Sequence, residues 1–338
     1  MPKMKAVQVS RAGGDLEVVE RDIPETGPGQ VRVRVQACGV CHSDVFTKEG
    51  LFPGISYPRV PGHEVAGIVD AVGPGVKGWT KGDRVGVGWH GGQDGTCTAC
   101  RKGDFANCAN VLICGLSYDG GYQEYMIAPV EALARIPESL DPVEAAPLMC
   151  AGITTFNALR HCGAMTGDLV AVQGVGGLGH LGIQFAKKSG YRVAAVGRGT
   201  QNAAIAQKLG ADLYIDSAAT DAGAELQKLG GASVVLATAP SGKAMSSLLP
   251  GLAVNGTLVV VGASQDPIEV STALLILGRR NIKGWSAGTP SDSEDTLRFA
   301  EATGVHPMIE KLPLEKAAEG YARMMSGDAH YRVVLTMG

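Results

Sequence analysis

The hydrophobic pattern of the chain changes its period near residue 150. Before that point, apolar and polar residues alternate in short runs. Valines occupy alternate positions of residues 31–36 after a Pro-Gly turn, and the runs EVAGIVDAVG (64–73) and GDRVGVG (82–88) are bounded by glycine and proline. Alternation with a period of two is typical of β-strands with one buried face. The first half is therefore predicted to form an irregular β barrel.

After residue 150, apolar strand patterns alternate with amphipathic helical patterns. Strand-like runs are DLVAVQ, YRVAAVG, LYID, SVVLAT and TLVVVGA, and the helix-like runs LGHLGIQFAKKSG and AAIAQKLGA lie between them. This alternation predicts an α/β domain with a parallel sheet and helices on both faces. The final run, YRVVLTMG, is predicted to be a strand that rejoins the first domain. We expect one domain from residues 1–151 together with 288–338, and a second from residues 152–287.

Composition and charge narrow the class of protein. A chain of 338 residues with 48 glycines and 19% charged residues fits two globular domains, each large enough to bury a core. The formal net charge is -3 and no run of Lys or Arg occurs, so there is no electrostatic footprint for nucleic acid or an anionic membrane. The N-terminus lacks an apolar signal core, and no segment approaches the roughly 18 apolar residues of a membrane span. We expect a cytoplasmic protein.

Two sets of metal-ligand side chains lie far apart in the sequence. The first is Cys41 and His63, in the stretches CGVCHSD and PGHE, and the second is Cys97, Cys100 and Cys108. Cysteines in a long chain without a secretory signal are interpreted as thiolates and metal ligands rather than disulfides. A zinc ion with four protein ligands stabilises a loop, whereas one with three keeps a position open for water or substrate. The hypothesis is two zinc sites, one structural and one catalytic.

A glycine-rich loop follows the strand DLVAVQ and precedes an amphipathic helix. It consists of Gly174, Val175, Gly176, Gly177, Leu178 and Gly179. The glycines permit a tight turn and let the backbone approach a pyrophosphate, which is seated at the helix N-terminus. A glycine motif alone can be an ordinary turn, but the strand before it and the helix after it predict a dinucleotide-binding site.

The residue expected to hold the adenine ribose lies about 20 positions past this loop. There the sequence reads Val196-Gly197-Arg198-Gly199, without a carboxylate. A carboxylate would accept the ribose 2′-hydroxyl and repel a 2′-phosphate, whereas Gly197 leaves room and Arg198 offers a bidentate cation. The alternative is that Arg198 is a solvated turn residue, but the sequence favours NADP over NAD.

The order of the motifs resembles that of the zinc-dependent alcohol dehydrogenases of the medium-chain dehydrogenase/reductase superfamily. That order is CGVCHSD, VPGHEVAGIVDAVG, the cysteine lobe, LMCAGIT and GVGGLG, and the likeness runs essentially end to end. The resemblance implies a GroES-like catalytic domain, closed by the C-terminal segment, and a Rossmann cofactor domain with a doubly wound parallel sheet. It places a structural zinc lobe at about residues 90–112 and an alcohol at zinc in the cleft.

The resemblance assigns the catalytic zinc to three protein ligands. These are Cys41, His63 and Cys150, with Glu64 as a nearby or alternating ligand. Two thiolates and an imidazole leave the metal a moderate Lewis acid, which suits an alcohol that ionises and then gives up hydride to the nicotinamide.

Other matching positions concern the proton and the cofactor. Asp44 matches the residue that accepts a hydrogen bond from the second ring nitrogen of His63, and Ser43 matches the hydroxyl that passes the alcohol proton outward. His42 matches a position near the pyrophosphate. Further cofactor contacts are implied at Thr154, Val261, Gly262 and Arg332.

Two positions depart from the family pattern. Asp94 stands where the first of four structural-zinc cysteines is expected, and a carboxylate can complete a tetrahedral zinc site. Phe46 occupies the place where many relatives have a histidine that ends the proton relay, so release is expected to use water or the neighbouring His42. Outside both ligand sets fall Cys38, Cys114 and Cys162, and His90, His161, His306 and His330 are interpreted as structural.

The sequence thus predicts an NAD(P)-dependent zinc alcohol dehydrogenase that interconverts primary alcohols and aldehydes. By resemblance it would be a homotetramer, with a dimer as the alternative. An aromatic lining of Phe46, Trp89 and Trp285 would favour benzylic or medium-chain aliphatic alcohols. One alternative is a zinc-independent quinone or enone reductase of the same fold, which would leave the catalytic ligands without purpose. The other is a regulatory protein that senses the cofactor and interacts through its zinc lobe.

Overall fold

The computed structural model describes residues 2–338, which form two compact units. The first unit runs to Cys150 and also includes Gly288–Ala302 and His306–Gly338. The second comprises Ala151–Ala287 and Thr303–Val305.

The strands of residues 2–338 are numbered in chain order. They are β1 Lys3–Val9, β2 Leu16–Asp22, β3 Gln30–Val40, β4 Val65–Val72, β5 Arg84–Val87, β6 His90–Gly92, β7 Leu112–Ile113, β8 Tyr125–Pro129, β9 Leu133–Arg135, β10 Leu169–Gln173, β11 Arg192–Gly197, β12 Leu213–Asp216, β13 Ala232–Ala237, β14 Leu252–Val260, β15 Asn281–Gly284, β16 Ile309–Pro313 and β17 Arg332–Thr336.

The α-helices of the same residues are numbered in the same way. They are α1 Val45–Glu49, α2 Pro142–Pro147, α3 Ile153–Arg160, α4 Gly179–Lys188, α5 Ala203–Lys208, α6 Ala222–Lys228, α7 Gly242–Leu248, α8 Thr272–Gly278, α9 Pro290–Thr303 and α10 Ala317–Ser326. Short 3-10 helical turns occur at His42–Asp44, Cys100–Lys102, Phe105–Asn107, Val130–Ala132, Leu249–Gly251 and Leu314–Lys316, and a π-helical segment at Leu148–Gly152.

The long strand β3 lies at the centre of the main sheet of the first unit. The strand order is β16-β17-β3-β4-β5-β9, and β8 also pairs with β3. The valines predicted to face inward, at alternate positions of residues 31–36, are buried, whereas Arg32 between them pairs with Asp70 at 2.7 Å. Strand β17 pairs antiparallel with β3, with Thr336 opposite Ala37. The C-terminal run therefore completes the sheet that the N-terminal half begins, as the sequence predicts.

The second unit contains a six-stranded sheet in which every neighbouring pair is parallel. Its order is β12-β11-β10-β13-β14-β15. The strand order reverses between β10 and β13, and ligands of open α/β sheets bind at such a switch point, beyond the carboxyl ends of the strands. The glycine-rich loop follows β10 and so lies at this point. Small apolar residues such as Ala171, Ala194 and Val235 fill the core of the sheet.

No helix within residues 2–338 has the length and apolar character that crossing a membrane requires.

Candidate metal centres and dinucleotide site

The first candidate metal centre gathers four side chains of the first unit. Ligand atoms of Cys41, His63, Glu64 and Cys150 all lie within 4.8 Å of one another. Cys41 directly follows β3 and caps a 3-10 turn, and His63 and Glu64 directly precede β4, which pairs with β3. Cys150 lies in the π-helical segment after α2, an irregularity that occurs often at functional sites. Sheet pairing thus unites residues that are distant in the sequence.

The two thiols of this centre face each other. Their sulfur atoms lie 3.8 Å apart, and Cys41 is buried. The hydrogen bond between the pair lowers the pKa of Cys41 well below its usual range, against the effect of burial, and raises that of Cys150. Two thiol groups cannot both be deprotonated at this distance without a compensating cation, and zinc is a cation that thiolates bind.

The ring of His63 is oriented by Asp44. The Nδ1 atom of His63 and Oδ1 of Asp44 lie 3.1 Å apart, although the contact is not well directed as a hydrogen bond. Asp44 Oδ2 accepts from the backbone N–H of Cys41 at 2.9 Å and from the hydroxyl of Tyr122 at 2.8 Å. Burial would lower the pKa of His63, but the charges of Cys41 and Asp44 raise it well above 6.5. Asp44 therefore faces three donors and presents Nε2 of His63 to the centre.

Glu64 forms a buried ion pair with Arg332. The guanidinium of Arg332 donates to Glu64 Oε1 and, at 3.2 Å, to the carbonyl of Val40. Both side chains are at most 5% exposed. Burial raises the pKa of Glu64 to about 7, and the charge of Arg332 opposes that rise. Arg332, which the sequence assigned to the cofactor, thus contacts the candidate metal ligand directly.

The donor atoms of this centre suit a zinc ion. His63 Nε2 and Glu64 Oε2 are buried and have no hydrogen-bond partner within residues 2–338, and buried polar groups are rarely left in this state. Two sulfurs and one imidazole nitrogen form one of the three-ligand sets that hold zinc at open catalytic sites. Cys41, His63 and Cys150 would hold the ion, and Glu64 lies within reach.

Aromatic rings lie beside the first centre. Trp89 meets the ring of His63 edge to face, with centroids 5.0 Å apart. Phe46 lies 6.2 Å from Trp89 and 6.3 Å from Phe52, again edge to face. Trp285 belongs to the second unit, where it stacks on His161 with centroids 4.7 Å apart.

The second candidate centre is the lobe of Asp94, Cys97, Cys100 and Cys108, whose ligand atoms also lie within 4.8 Å of one another. Two backbone N–H groups donate to Cys97 Sγ, from Cys100 at 3.5 Å and Ala109 at 3.4 Å, and they lower its pKa. Such bonds favour the thiolate, which is the form that binds metal.

Asp94 is itself fixed in place. Its Oδ1 accepts from the backbone N–H groups of Cys97 at 2.9 Å and Thr96 at 2.7 Å, and its Oδ2 accepts from Asn110 Nδ2 at 2.6 Å. These bonds, that from Cys97 foremost, lower the pKa of Asp94 below its usual range. The carboxylate is anionic and pre-oriented, so the residues present fit a four-ligand zinc site.

The glycine-rich loop has the geometry of a phosphate cradle. Gly174 has φ 91°, which only glycine adopts readily, and a Cβ at Gly179 would collide with the carbonyl of Gly174. Gly176 has open space around it and is exposed. His180 Nδ1 lies 3.0 Å from the carbonyl of Gly176, which links the loop to the first turn of α4. The side chains of Val175 and Leu178, and Gly177, complete the loop.

The remaining predicted cofactor residues divide between the two units. In the second unit, Val261 and Gly262 follow β14 and donate their backbone N–H groups to the carbonyl of Ala237, and Thr154 is buried in the first turn of α3. In the first unit, His42 is exposed in the turn after Cys41, beside the half-buried Ser43 of the predicted proton path. Gly197 is the last residue of β11, and Arg198 directly follows it.

Comparison with known proteins decides the family. Residues 27–138 match the alcohol dehydrogenase GroES-like domain and residues 177–302 the zinc-binding dehydrogenase domain. The alcohol dehydrogenase patD of Penicillium expansum is 47% identical over 96% of this chain and 95% of its own length. The chain belongs to the zinc-type alcohol dehydrogenases of the medium-chain dehydrogenase/reductase superfamily. This alcohol dehydrogenase therefore combines a GroES-like domain with a Rossmann domain, as the sequence predicted.

Other relatives of this alcohol dehydrogenase cover its whole length. An alcohol dehydrogenase of Geobacillus stearothermophilus is 38% identical over 99% of both chains. Among solved structures, a cinnamyl alcohol dehydrogenase from Sorghum bicolor has a TM-score of 0.88 at 30% identity, over 99% of this chain and 98% of that one.

Sequence reasoning missed Tyr122 and Asn110, and it missed the ion pair of Arg332, a residue that it assigned to the cofactor. Tyr122, which bonds Asp44, lies 78 positions away in the chain, and no motif marks it. The pairing of Arg332 with Glu64 spans 268 positions. Asn110, which donates to Asp94, lies inside the predicted lobe two positions after Cys108. Its position there was the signal that could have indicated this contact.

Proposed function

We propose that the enzyme is a zinc-dependent alcohol dehydrogenase that exchanges hydride between a primary alcohol or its aldehyde and NAD(P). The observation that carries this proposal is the convergence of the ligand atoms of Cys41, His63 and Cys150, together with a buried His63 Nε2 that lacks a protein partner within residues 2–338. When bound, zinc would supply the Lewis acid that ionises the alcohol, and the nicotinamide would supply the hydride acceptor.

The chain's own residues prepare this centre. Asp44 keeps a hydrogen on Nδ1 of His63, because a carboxylate can only accept, and so leaves Nε2 free to bind the metal. Glu64, held by Arg332, is the candidate alternating ligand: its Oε2 is unpaired and lies within reach of the other donors. The ion pair through Oε1 positions the carboxylate, so a shift of Arg332 would alter whether Oε2 reaches the metal.

The proton of the alcohol must leave a buried site. Ser43 is half-buried and His42 exposed in the same 3-10 turn, so the turn spans from the interior to solvent. Ser43 can accept and pass a proton, and His42 can deliver it to water. Phe46 can do neither, so the path is proposed to run through Ser43 and His42.

The second zinc is proposed to be structural. Asp94, Cys97, Cys100 and Cys108 would occupy all four tetrahedral positions, which leaves none for substrate. Its contribution would be to the folding of the lobe.

The substrate is proposed to be an aromatic or medium-chain aliphatic primary alcohol. Phe46, Phe52 and Trp89 form an apolar wall that begins at His63. Aromatic walls contact aromatic or extended aliphatic groups more favourably than small polyols. The likeness to a cinnamyl alcohol dehydrogenase supports the aromatic class.

NADP is proposed as the preferred cofactor. Gly197 ends β11 without a carboxylate, and the exposed guanidinium of Arg198 follows it. A guanidinium can bind a 2′-phosphate with two parallel hydrogen bonds.

A homo-oligomer, a tetramer or a dimer, is proposed from the edge of the parallel sheet. All four residues of the edge strand β15 are exposed, and the helix before it exposes Ile276 and Leu277 by 72% and 84%. An open strand edge beside apolar side chains is a site where a second copy can pair. Light scattering should show the parent as an oligomer and Leu277→Lys with a smaller mass; a monomeric parent would contradict this.

The function is tested by zinc content, NADPH titration and benzyl alcohol oxidation in Cys41→Ala, with Cys38→Ala as a matched control. Cys38 is buried three residues away but lies outside both candidate centres. Cys41→Ala should lose one zinc ion and turnover while it still binds NADPH, and Cys38→Ala should keep all three properties. Turnover that survives loss of that zinc, or zinc-independent reduction of a quinone, would instead support the quinone reductase alternative.

A further inference from the structure

The side chain of Tyr214 fills the space beside Gly197. Gly197 ends β11, and its neighbour β12 runs parallel with Gly197 opposite Asp216, two residues after Tyr214. A Cβ at position 197 would lie 2.9 Å from Cζ of Tyr214 and closer still to its hydroxyl oxygen. Real Cβ atoms essentially never approach another atom within 3.0 Å. Any side chain at position 197 would therefore have to displace Tyr214.

Hydrogen bonds keep Tyr214 and the loop after β11 together. The Tyr214 hydroxyl donates to the carbonyl of Gly199 at 2.7 Å, and the Gly199 N–H donates to Asp216 Oδ1 at 2.7 Å. Ser217 donates to the carbonyl of Gly197 from its backbone at 2.8 Å and from its hydroxyl at 3.0 Å. Burial, together with the Asp216 charge, raises the pKa of Tyr214, so its hydroxyl keeps the hydrogen that it donates. Tyr214 cannot move aside without giving up its bond to Gly199.

Arg198 lies between the two glycines of this loop. It is exposed, and its guanidinium has no ion-pair partner among residues 2–338. The loop therefore offers one free cation, while Tyr214 closes the place from which a carboxylate would reach the adenine ribose.

We propose that Tyr214 is a specificity-determining residue of the cofactor site. It sterically excludes a ribose-binding carboxylate at position 197, so the loop remains able to bind the 2′-phosphate of NADP. This inference rests on the proposed function, in which the loop receives the adenine ribose. Gly197→Asp alone should not convert the enzyme to NAD, because the new side chain would collide with Tyr214.

The test compares Gly197→Asp in three backgrounds: the parent, Tyr214→Phe and Tyr214→Ala. Dissociation constants for NADPH and NADH are measured by fluorescence titration, and the unfolding midpoint is measured for each variant. In the parent, Gly197→Asp should lower the unfolding midpoint and weaken the binding of both cofactors. In Tyr214→Ala, the same aspartate should move the NADH-to-NADPH preference toward NADH by roughly 10- to 100-fold, the range of a charged hydrogen bond.

Two controls separate steric exclusion from other causes. Tyr214→Phe removes the hydroxyl but keeps Cζ, which is still too close to a Cβ at position 197, so Gly197→Asp should fail to switch preference in that background. Gly338→Asp places an aspartate at the exposed final residue of the sequence, where a Cβ has open space. It should leave the midpoint and both dissociation constants unchanged.

A shift toward NADH by Gly197→Asp in the parent, as large as in Tyr214→Ala and with an unchanged midpoint, would overturn the role of Tyr214. A parent that itself binds NADH more tightly than NADPH would instead show that the proposed NADP preference is wrong. The role of Tyr214 would still be tested by whether Gly197→Asp changes the cofactor preference differently in the parent and in the Tyr214→Ala background.

Discussion

Asp44→Asn is expected to weaken metal binding at the first centre by forcing His63 into the wrong tautomer. Asp44 faces three donors: Tyr122 O–H, Cys41 N–H and His63 N–H. Asparagine has one acceptor oxygen and one NH2 group, which must face one of these donors. If the NH2 replaces Oδ1, His63 must accept at Nδ1 and carry its hydrogen on Nε2, the atom that would bind zinc. If it replaces Oδ2, the buried N–H of Cys41 has no acceptor.

Either arrangement has a cost that can be estimated. A buried donor without an acceptor costs about 1–3 kcal/mol. At about 1.4 kcal/mol for each factor of ten, this corresponds to a loss of roughly 5- to 150-fold in metal affinity. That range brackets the 10- to 100-fold effect typical of residues that orient a metal-binding histidine.

The assay is zinc content per chain after dialysis against graded concentrations of a chelator. Asp44→Asn should release one of two zinc ions at a chelator concentration roughly 10- to 100-fold lower than the parent does. The second ion is an internal standard, because Asp44 does not contact the lobe. Tyr122→Phe is the matched control: it removes one donor to Asp44 but keeps the His63 contact, so it should cost about 1 kcal/mol of stability and little zinc affinity. Identical release curves for Asp44→Asn and the parent, or equal shifts in both variants, would refute the tautomer argument.

Four further substitutions test the lobe, the Glu64–Arg332 pair and the proton path. Cys100→Ala should release the second zinc and lower the melting temperature, whereas Asp94→Cys should keep two zinc ions; metal analysis that finds two in Cys100→Ala would contradict this. Arg332→Gln leaves the buried carboxylate of Glu64 without its counter-charge, which should reduce the free energy of unfolding by about 3–5 kcal/mol. For 338 residues, that lowers the melting temperature by about 4–7 °C in calorimetry, and an unchanged temperature would show that the pair contributes little. Phe46→His should raise alcohol oxidation near neutral pH by less than about 100-fold, and an unaltered pH–rate profile would exclude position 46 from proton release.

The sequence predicted the fold well because hydrophobic period and glycine placement are local signals. Alternating valines predicted β3, and a strand, glycine loop and helix in succession predicted the start of the parallel sheet. The order of strands in that sheet, by contrast, depends on pairing between distant segments, which no local pattern records.

The candidate site shows the same limit at the level of single side chains. The structure brings together the ligands that motifs marked, Cys41, His63 and Cys150, although their roles stay a proposal. What surrounds them could not be predicted, because Tyr122 reaches Asp44 through tertiary packing alone. Gly197 is similar: the sequence shows a missing side chain, and only the neighbouring strand shows that Tyr214 occupies its space.

Asp94 and Glu64 show that residue type alone does not predict the role of a carboxylate at a metal centre. Asp94 lies in an open lobe, where N–H groups of Cys97, Thr96 and Asn110 lower its pKa and keep it anionic. Glu64 is fully buried, and burial raises its pKa to about 7 despite Arg332. A carboxylate that is already anionic and oriented binds a metal without reorganisation, whereas the raised pKa of Glu64 favours its neutral form and its Oε1 is held by Arg332. The two acids therefore suit different roles. Asp94 suits the role of a permanent structural ligand, and Glu64 suits the role of an alternating ligand.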